Sequence, residues 1–211
     1  MRPSLARQAG IAALFVIAAV LGIVTGVVAA YSGDLPQVSA LDEYSPGTIT
    51  RIYASDNRLI GEFATQRRVM VKYDEIPAVL RQAILSAEDD GFESHFGIDF
   101  TRTFVRVLQN IVLRRSYGGS TLTQQLARKL FLKPDKSLER KVKEWMLAIQ
   151  IEKRYTKHEI FTMYCNQMNL GHGAYGVEAA SRLYFGKPIK GLTLEEAALI
   201  AGVVQSPSRQ S

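Results

Sequence analysis

The chain of 211 residues holds a single cysteine, Cys165, so no intrachain disulfide framework and no cysteine-rich zinc site can form. Its three histidines, His95, His158 and His172, never fall at a metal-ligand spacing such as H-E-x-x-H. No internal repeat and no long low-complexity tract is present, which excludes solenoids and fibres. Acidic residues are in deficit, with 20 Asp and Glu against 26 Lys and Arg. The net charge of +6 calls for an anionic partner or surface. At 47% apolar and 22% charged, the composition is too apolar for a disordered chain.

Mean hydropathy near zero is high for a water-soluble protein, and the excess sits in one place. Ala9 to Tyr31 is an uncharged run of 23 residues. At about 1.5 Å rise per residue, it exceeds a hydrocarbon core of about 30 Å and can span it with tilt. Arg2 and Arg7 precede it, and the positive-inside rule then puts residues 1–8 in the cytoplasm. A cleaved signal peptide is the rival reading, with Val28-Ala29-Ala30 as a cleavage site, but the run is longer than a usual h-region. Residues 9–31 are therefore read as a retained transmembrane helix, 32–47 as a linker, and 48–211 as one domain outside the cytoplasmic membrane.

That domain divides by hydrophobic period. Residues 48–73 hold three β-like runs, TITRIYA, RLIGEFA and RRVMVKY, with Asp56-Asn57 as a turn signal between the first two. A hairpin or a three-stranded patch is expected. From Pro77 to Pro207 the period is helical. Leu80, Ala83, Ile84 and Ala87 mark one helix; Phe104, Leu108, Ile111 and Val112 a second; Thr121 to Leu132 a third. Leu138 to Ile149 follow with Ser137 as N-cap, then Lys157 to Met168 and Ala174 to Phe185. The last helix opens on the capping-box pattern Thr193-Leu194-Glu195-Glu196 and runs to about Val204. The expected fold is mainly α with a small β entry.

Charge is concentrated. Between Arg102 and Arg154 lie thirteen basic residues and four acidic ones. Such a block suits phosphate or pyrophosphate, or equally a solvated face beside an anionic membrane. Nucleic acid is not expected as a partner of an exported domain.

Three constellations could carry chemistry. Glu88-Asp89-Asp90-Gly91-Phe92-Glu93-Ser94-His95-Phe96-Gly97-Ile98-Asp99 ends an apolar helix on acids, against the helix dipole. Phe92 and Phe96 could desolvate a carboxylate there and turn it into a base. The plain alternative is an acidic turn. Gly118-Gly119-Ser120-Thr121 leads into a helix whose free N–H groups could meet an anion, or be simply capped. Arg128 lies two turns on, in line with Gln124. In Arg140-Lys141-Val142-Lys143-Glu144, the acid sits one turn from both cations and could orient either, ligate a divalent ion, or form a surface ladder.

In this order the blocks resemble glycosyltransferase family 51, the peptidoglycan glycosyltransferase domain of class A penicillin-binding proteins and monofunctional transglycosylases. E-D-x-x-F-x-x-H-x-G-x-D is met by Glu88, Asp89, Phe92, His95, Gly97 and Asp99. G-G-S-T-[IL]-T-Q-Q-L is met throughout Gly118 to Leu126, and R-K-x-x-E by Arg140, Lys141 and Glu144. K-x-E-I-x-x-x-Y-x-N is met by Lys157, Glu159, Ile160, Tyr164 and Asn166. Gly171 to Gly176, Tyr184 to Lys187 and Leu194 to Pro207 continue the pattern. The departures are Arg128 for Lys, Lys136 for Arg, Lys129 for Asn and Cys165 for Leu.

The resemblance implies a lysozyme-like, two-lobed domain whose smaller lobe dips into the membrane near Phe100 to Tyr117. It implies a hexosyltransferase that polymerises lipid II by inverting transfer and releases undecaprenyl diphosphate. Glu88 and Glu144 would be the catalytic residues, with Glu88 the general base. Asp89, Phe92, His95, Ser120, Thr121, Gln124, Gln125, Arg128, Lys136, Arg140, Lys141 and Asn166 would bind and shape substrate. A divalent cation such as Mg²⁺ is allowed at Glu144, and no organic cofactor is expected. Other wall-synthesis proteins are candidate partners. A muramidase or lytic transglycosylase on a similar fold and an anchored scaffold for wall-synthesis enzymes are the competing functions. No S-x-x-K and no K-T-G occurs, so no transpeptidase site is expected within these residues. That fits either a monofunctional enzyme or a piece of a bifunctional one.

Overall fold

The computed structural model describes residues 5–42, 50–63, 67–113, 118–135 and 137–205. Lys136, Arg114, Arg115 and the linker residues 43–49 lie outside the described residues.

Helix α1, Leu5–Ser32, contains the apolar run and extends it by a turn. Its segment Arg7–Ser32 is long and apolar enough to cross a membrane, and its apolar 18-residue window is not buried. The segment that follows is less of a free linker than its composition suggests. Val38–Leu41 forms a 3₁₀ turn with Val38 buried, and the Tyr155 hydroxyl and the Arg154 guanidinium both donate to Asp42. These bonds hold the Asp42 carboxyl below its ordinary range, Arg154 first.

Strands β1, Thr50–Tyr53, and β2, Leu59–Phe63, form an antiparallel hairpin closed around Asp56, whose carboxylate accepts from the Arg58 amide at 3.0 Å. The third β-like run does not join them. It shrinks to β3, Arg67–Arg68, which pairs in parallel with β4, Ala174–Tyr175. The helical pattern beginning at Ala174 is thus interrupted, and the helix itself starts three residues later. Gly176 at φ 87° makes that break, in a conformation open to glycine alone at low cost.

The helical body comprises α2 (Ala78–Glu88), α3 (Phe100–Leu113), α4 (Leu122–Phe131), α5 (Leu138–Arg154), α6 (Lys157–Gln167), α7 (Val177–Phe185) and α8 (Leu194–Gln205). Helix α2 packs on α8, and α4 lies between α5 and α6. Leu80, Ile84, Leu122, Leu126, Leu147, Ile151 and Ile160 are fully buried in one continuous core. Truncating any one to Ala would cost about 2–5 kcal/mol. The caps follow from sequence: Ser137 and Thr156 accept from the amides of Arg140 and Glu159, and Thr193 pairs with Glu196.

Helix α3 is built inside out. Phe100, Phe104, Leu108 and Val112 recur every fourth residue and are 70%, 64%, 45% and 75% exposed. The polar stripe of Arg102, Arg106 and Gln109 is part-buried instead. A helix in a water-soluble body carries the opposite arrangement.

Candidate active site

Helix α4 organises the polar interior, because nearly every polar group in its first turns binds a different element. At its N-terminus the Leu122 amide donates to Asp89 Oδ2 at 2.8 Å. The anion expected at this Gly-Gly-Ser-Thr turn is therefore the chain's own Asp89, which is fully buried. His95 Nε2 lies 3.0 Å from the same oxygen, and Arg102 Nη1 donates to Asp89 Oδ1 at 3.3 Å. Thr121 caps the helix through the Gln124 amide, and its hydroxyl donates to the Gly97 carbonyl at 2.7 Å. Gly97 is required there: φ is +80°, and a Cβ would stand 2.9 Å from the Ala148 carbonyl oxygen of α5.

Two adjacent glutamines on α4 take partners of opposite charge, Gln125 a carboxylate and Gln124 an ammonium. Gln125 Nε2 donates to Glu88 Oε2 at 2.7 Å. The other oxygen, Glu88 Oε1, is buried and has no partner among the described residues. Gln125 is itself oriented by the Tyr164 hydroxyl, which donates to its Oε1 at 3.3 Å. Burial pushes the Tyr164 hydroxyl well above its ordinary range, and the nearby Glu88 charge adds to this, so it stays a donor. The relay runs Tyr164 to Gln125 to Glu88.

Gln124 turns the other way. Its Oε1 accepts from Lys141 Nζ at 3.2 Å, and Ser120 Oγ accepts from the same ammonium at 2.8 Å. Lys141 also donates to Glu144 Oε1, while Arg140 Nη1 donates to Glu144 Oε2 at 2.8 Å. Glu144 is fully buried, with both oxygens engaged by cations. Arg140 reaches outward as well, its Nε lying 3.2 Å from Asp135. The Arg128 side chain is exposed and makes no hydrogen bond or ion pair among the described residues. One short helix thus holds a half-paired carboxylate through Gln125 and the Lys141 ammonium through Gln124.

A transglycosylase family model matches residues 56–211 of this sequence. The chain belongs to the transglycosylase family. Penicillin-binding protein 1A of Pseudomonas aeruginosa is 41% identical over 197 residues, which cover 89% of this chain and 24% of that protein. Penicillin-binding protein 1A of Aquifex aeolicus is 41% identical over 195 residues, covering 92% of this chain and 27% of its own length. A crystal structure of penicillin-binding protein 1A from Haemophilus influenzae aligns at 26% identity and a TM-score of 0.41, over 80% of this chain and 16% of that one. The chain spans about a quarter of the length of these curated relatives.

Within this transglycosylase domain the expected site residues do not all meet. Glu88, Asp89, His95, Ser120, Thr121, Gln124, Gln125, Arg140, Lys141 and Glu144 are linked through α4 as described. Phe92 is buried core, stacked beneath the Lys157 ammonium at 4.5 Å. Asn166 stands apart. Its amide accepts from the Val71 amide at 3.0 Å and donates to the Val71 carbonyl at 2.9 Å, which fixes the segment after β3. Lys136 falls outside the described residues.

Each Glu144 oxygen already accepts from a cation, so a divalent ion there would have to compete with Lys141 and Arg140. Among the described residues no three His, Cys, Asp or Glu side chains gather as a metal site.

Sequence reading passed over three contributors. Tyr164 was visible only as a motif letter. Arg102 reads as one more cation in a basic block. Glu152 is buried and accepts from Thr123 Oγ1 at 2.6 Å and Lys157 Nζ at 2.8 Å, and Lys157 also binds the His95 carbonyl at 2.7 Å. That network ties α4, α5, α6 and the His95 turn together.

Proposed function

We propose that this domain is a peptidoglycan glycosyltransferase that polymerises lipid II into glycan strands and releases undecaprenyl diphosphate. The observation that carries the reading is Glu88: one oxygen pinned by Gln125, the other buried and without a donor. A carboxylate held in that way is arranged to accept a proton from an incoming hydroxyl.

In the proposed step, Glu88 Oε1 takes the proton of the acceptor GlcNAc 4-hydroxyl. That oxygen forms a bond to C1 of the donor MurNAc. The bond from C1 to the diphosphate oxygen breaks on the opposite face, and the electron pair leaves with the lipid diphosphate. The anomeric centre inverts from α to β. A diphosphate leaves without strong acid help, so the site's main task is charge stabilisation. Arg128, Arg140 and Lys141 are suited to it, with Lys136 beside them in sequence. Glu144 holds Arg140 and Lys141 in place and does not bind the substrate's anion. A divalent cation would enter with the diphosphate.

The membrane reading belongs to the same proposal. Helix α1 would anchor the chain in the cytoplasmic membrane, with the N-terminus inside and the domain outside. The outward stripe Phe100, Phe104, Leu108 and Val112 of α3 would lie in the bilayer interface, where lipid-linked substrate enters. Other wall-synthesis proteins would be partners on the outer side.

The test is a gel-based polymerisation assay with purified lipid II. Wild-type protein should give long glycan strands that moenomycin, an inhibitor of the family, suppresses, and Glu88→Gln should give none. Strands of wild-type length from that variant would overturn the assignment.

A further inference from the structure

Arg102 is a cation on the inward face of α3, 14 residues from Glu88 in sequence but bonded to it in space. Its Nη2 donates to the Glu88 carbonyl at 3.0 Å. Its Nη1 lies 3.3 Å from Asp89 Oδ1 and 3.2 Å from Asp90 Oδ1. Glu88 is the last residue of α2, so its carbonyl is one that the helix cannot satisfy internally. A guanidinium at that end also meets the negative pole of the α2 dipole. One side chain therefore ends α2, helps neutralise the buried Asp89, and grips the turn bearing the open carboxylate.

The other side of the same helix is the outward apolar stripe. Other contacts of α3 are described at two places. The Asp99 carboxylate caps it through the Arg102 amide at 2.8 Å. Farther along, the Arg106 stem packs on Gly119, where a Cβ would meet the Arg106 Cβ and Cγ at 3.3 Å. Arg102 is thus the one described side chain of α3 that hydrogen-bonds Glu88 itself.

We propose that Arg102 is a positioning residue that transmits the seating of α3 on a lipid surface to the Glu88 carboxylate. The proposal rests on the reading of Glu88 as the base. With α3 seated, the planar fork fixes the Glu88 backbone, and Gln125 then fixes its side chain. With the fork removed, α3 can sit on the bilayer without setting the carboxylate.

The experiment is a double-mutant cycle in vesicles containing lipid II. It uses Arg102→Ala, Arg102→Lys, and the paired change Phe104→Ser with Leu108→Ser. Arg102→Ala should lower kcat roughly 10- to 100-fold with KM little changed, the scale expected for a misplaced catalytic group. Arg102→Lys should recover part of the loss, because it keeps the charge without the fork. The paired serine change should slow the Arg102 enzyme severalfold and the Arg102→Ala enzyme hardly at all. Effects that multiply independently, or a rise in KM with kcat intact, would overturn the proposal. If Arg102→Ala does not fold, Arg102→Lys carries the cycle. Glu88→Gln runs alongside. Strand synthesis by that variant defeats the base assignment, whereas its silence together with a full rate from Arg102→Ala defeats only the Arg102 inference.

Discussion

Gln125 holds Glu88, and its neighbour Gln124 holds the Lys141 ammonium that pairs with Glu144, yet the two carboxylates end in opposite states. Glu144 is sealed, with Lys141 on one oxygen and Arg140 on the other. Glu88 is held by one oxygen only, and the second faces no donor among the described residues. Both Glu144 oxygens are engaged by cations, whereas Glu88 Oε1 keeps acceptor capacity that no described donor uses. Under the proposed function the difference separates two tasks: Glu88 would handle a proton, while Glu144 fixes positive charge.

The contrast can be broken from either side. The largest effect is expected at Glu88. Glu88→Gln keeps the shape and removes the basicity, so lipid II polymerisation should fall by at least about 10²- to 10⁴-fold while the melting temperature stays close to that of wild type. Next is Glu144→Gln. It leaves Lys141 and Arg140 without their buried partner, and breaking such a pair costs about 3–5 kcal/mol. Here stability should drop in denaturant melts together with rate. A variant that loses rate at unchanged stability would mean that Glu144 acts chemically, as Glu88 does. Gly97→Ala tests the ground both stand on. The turn carrying His95 cannot approach α5 with a Cβ at 2.9 Å from the Ala148 oxygen, so the melting temperature should fall by several degrees.

A smaller effect sharpens the comparison. Tyr164→Phe removes the donor that orients Gln125, so kcat should fall severalfold with the Glu144 arm untouched. The same variant has a pH signature. The Tyr164 hydroxyl is raised in the folded state, so its contribution to stability is present below its unfolded value of about 10 and declines as pH rises above it. Melts between about pH 9 and 11 should therefore show a shallower decline in Tyr164→Phe than in wild type.

How much of this could be read in advance follows sequence distance. The Arg140, Lys141 and Glu144 cluster is one helical turn, so its spacing alone predicted that the acid could orient either cation, and it holds both. The caps at Ser137 and Thr193 were legible for the same local reason. The Glu88 relay was not, since Gln125 and Tyr164 lie 37 and 39 residues from their partners and meet only when α2, α4 and α6 pack. The Gly-Gly-Ser-Thr turn misled in a useful way: its anion-binding geometry was correct, and its occupant was the chain's own Asp89. The two-residue β4 was masked by apolar spacing that also fits a helix, and only its pairing with β3 reveals it.

The 3₁₀ turn at Val38–Leu41 limits how far the domain can travel. It is held against α5, and only six steps of chain separate Val38 from the end of α1 at Ser32. Fully stretched, that length reaches about 20 Å. For a chain whose first helix crosses a bilayer, this is a short leash. Under the proposed topology the domain would patrol a thin layer of water at the lipid surface, and the search for a lipid-borne sugar would become a two-dimensional one.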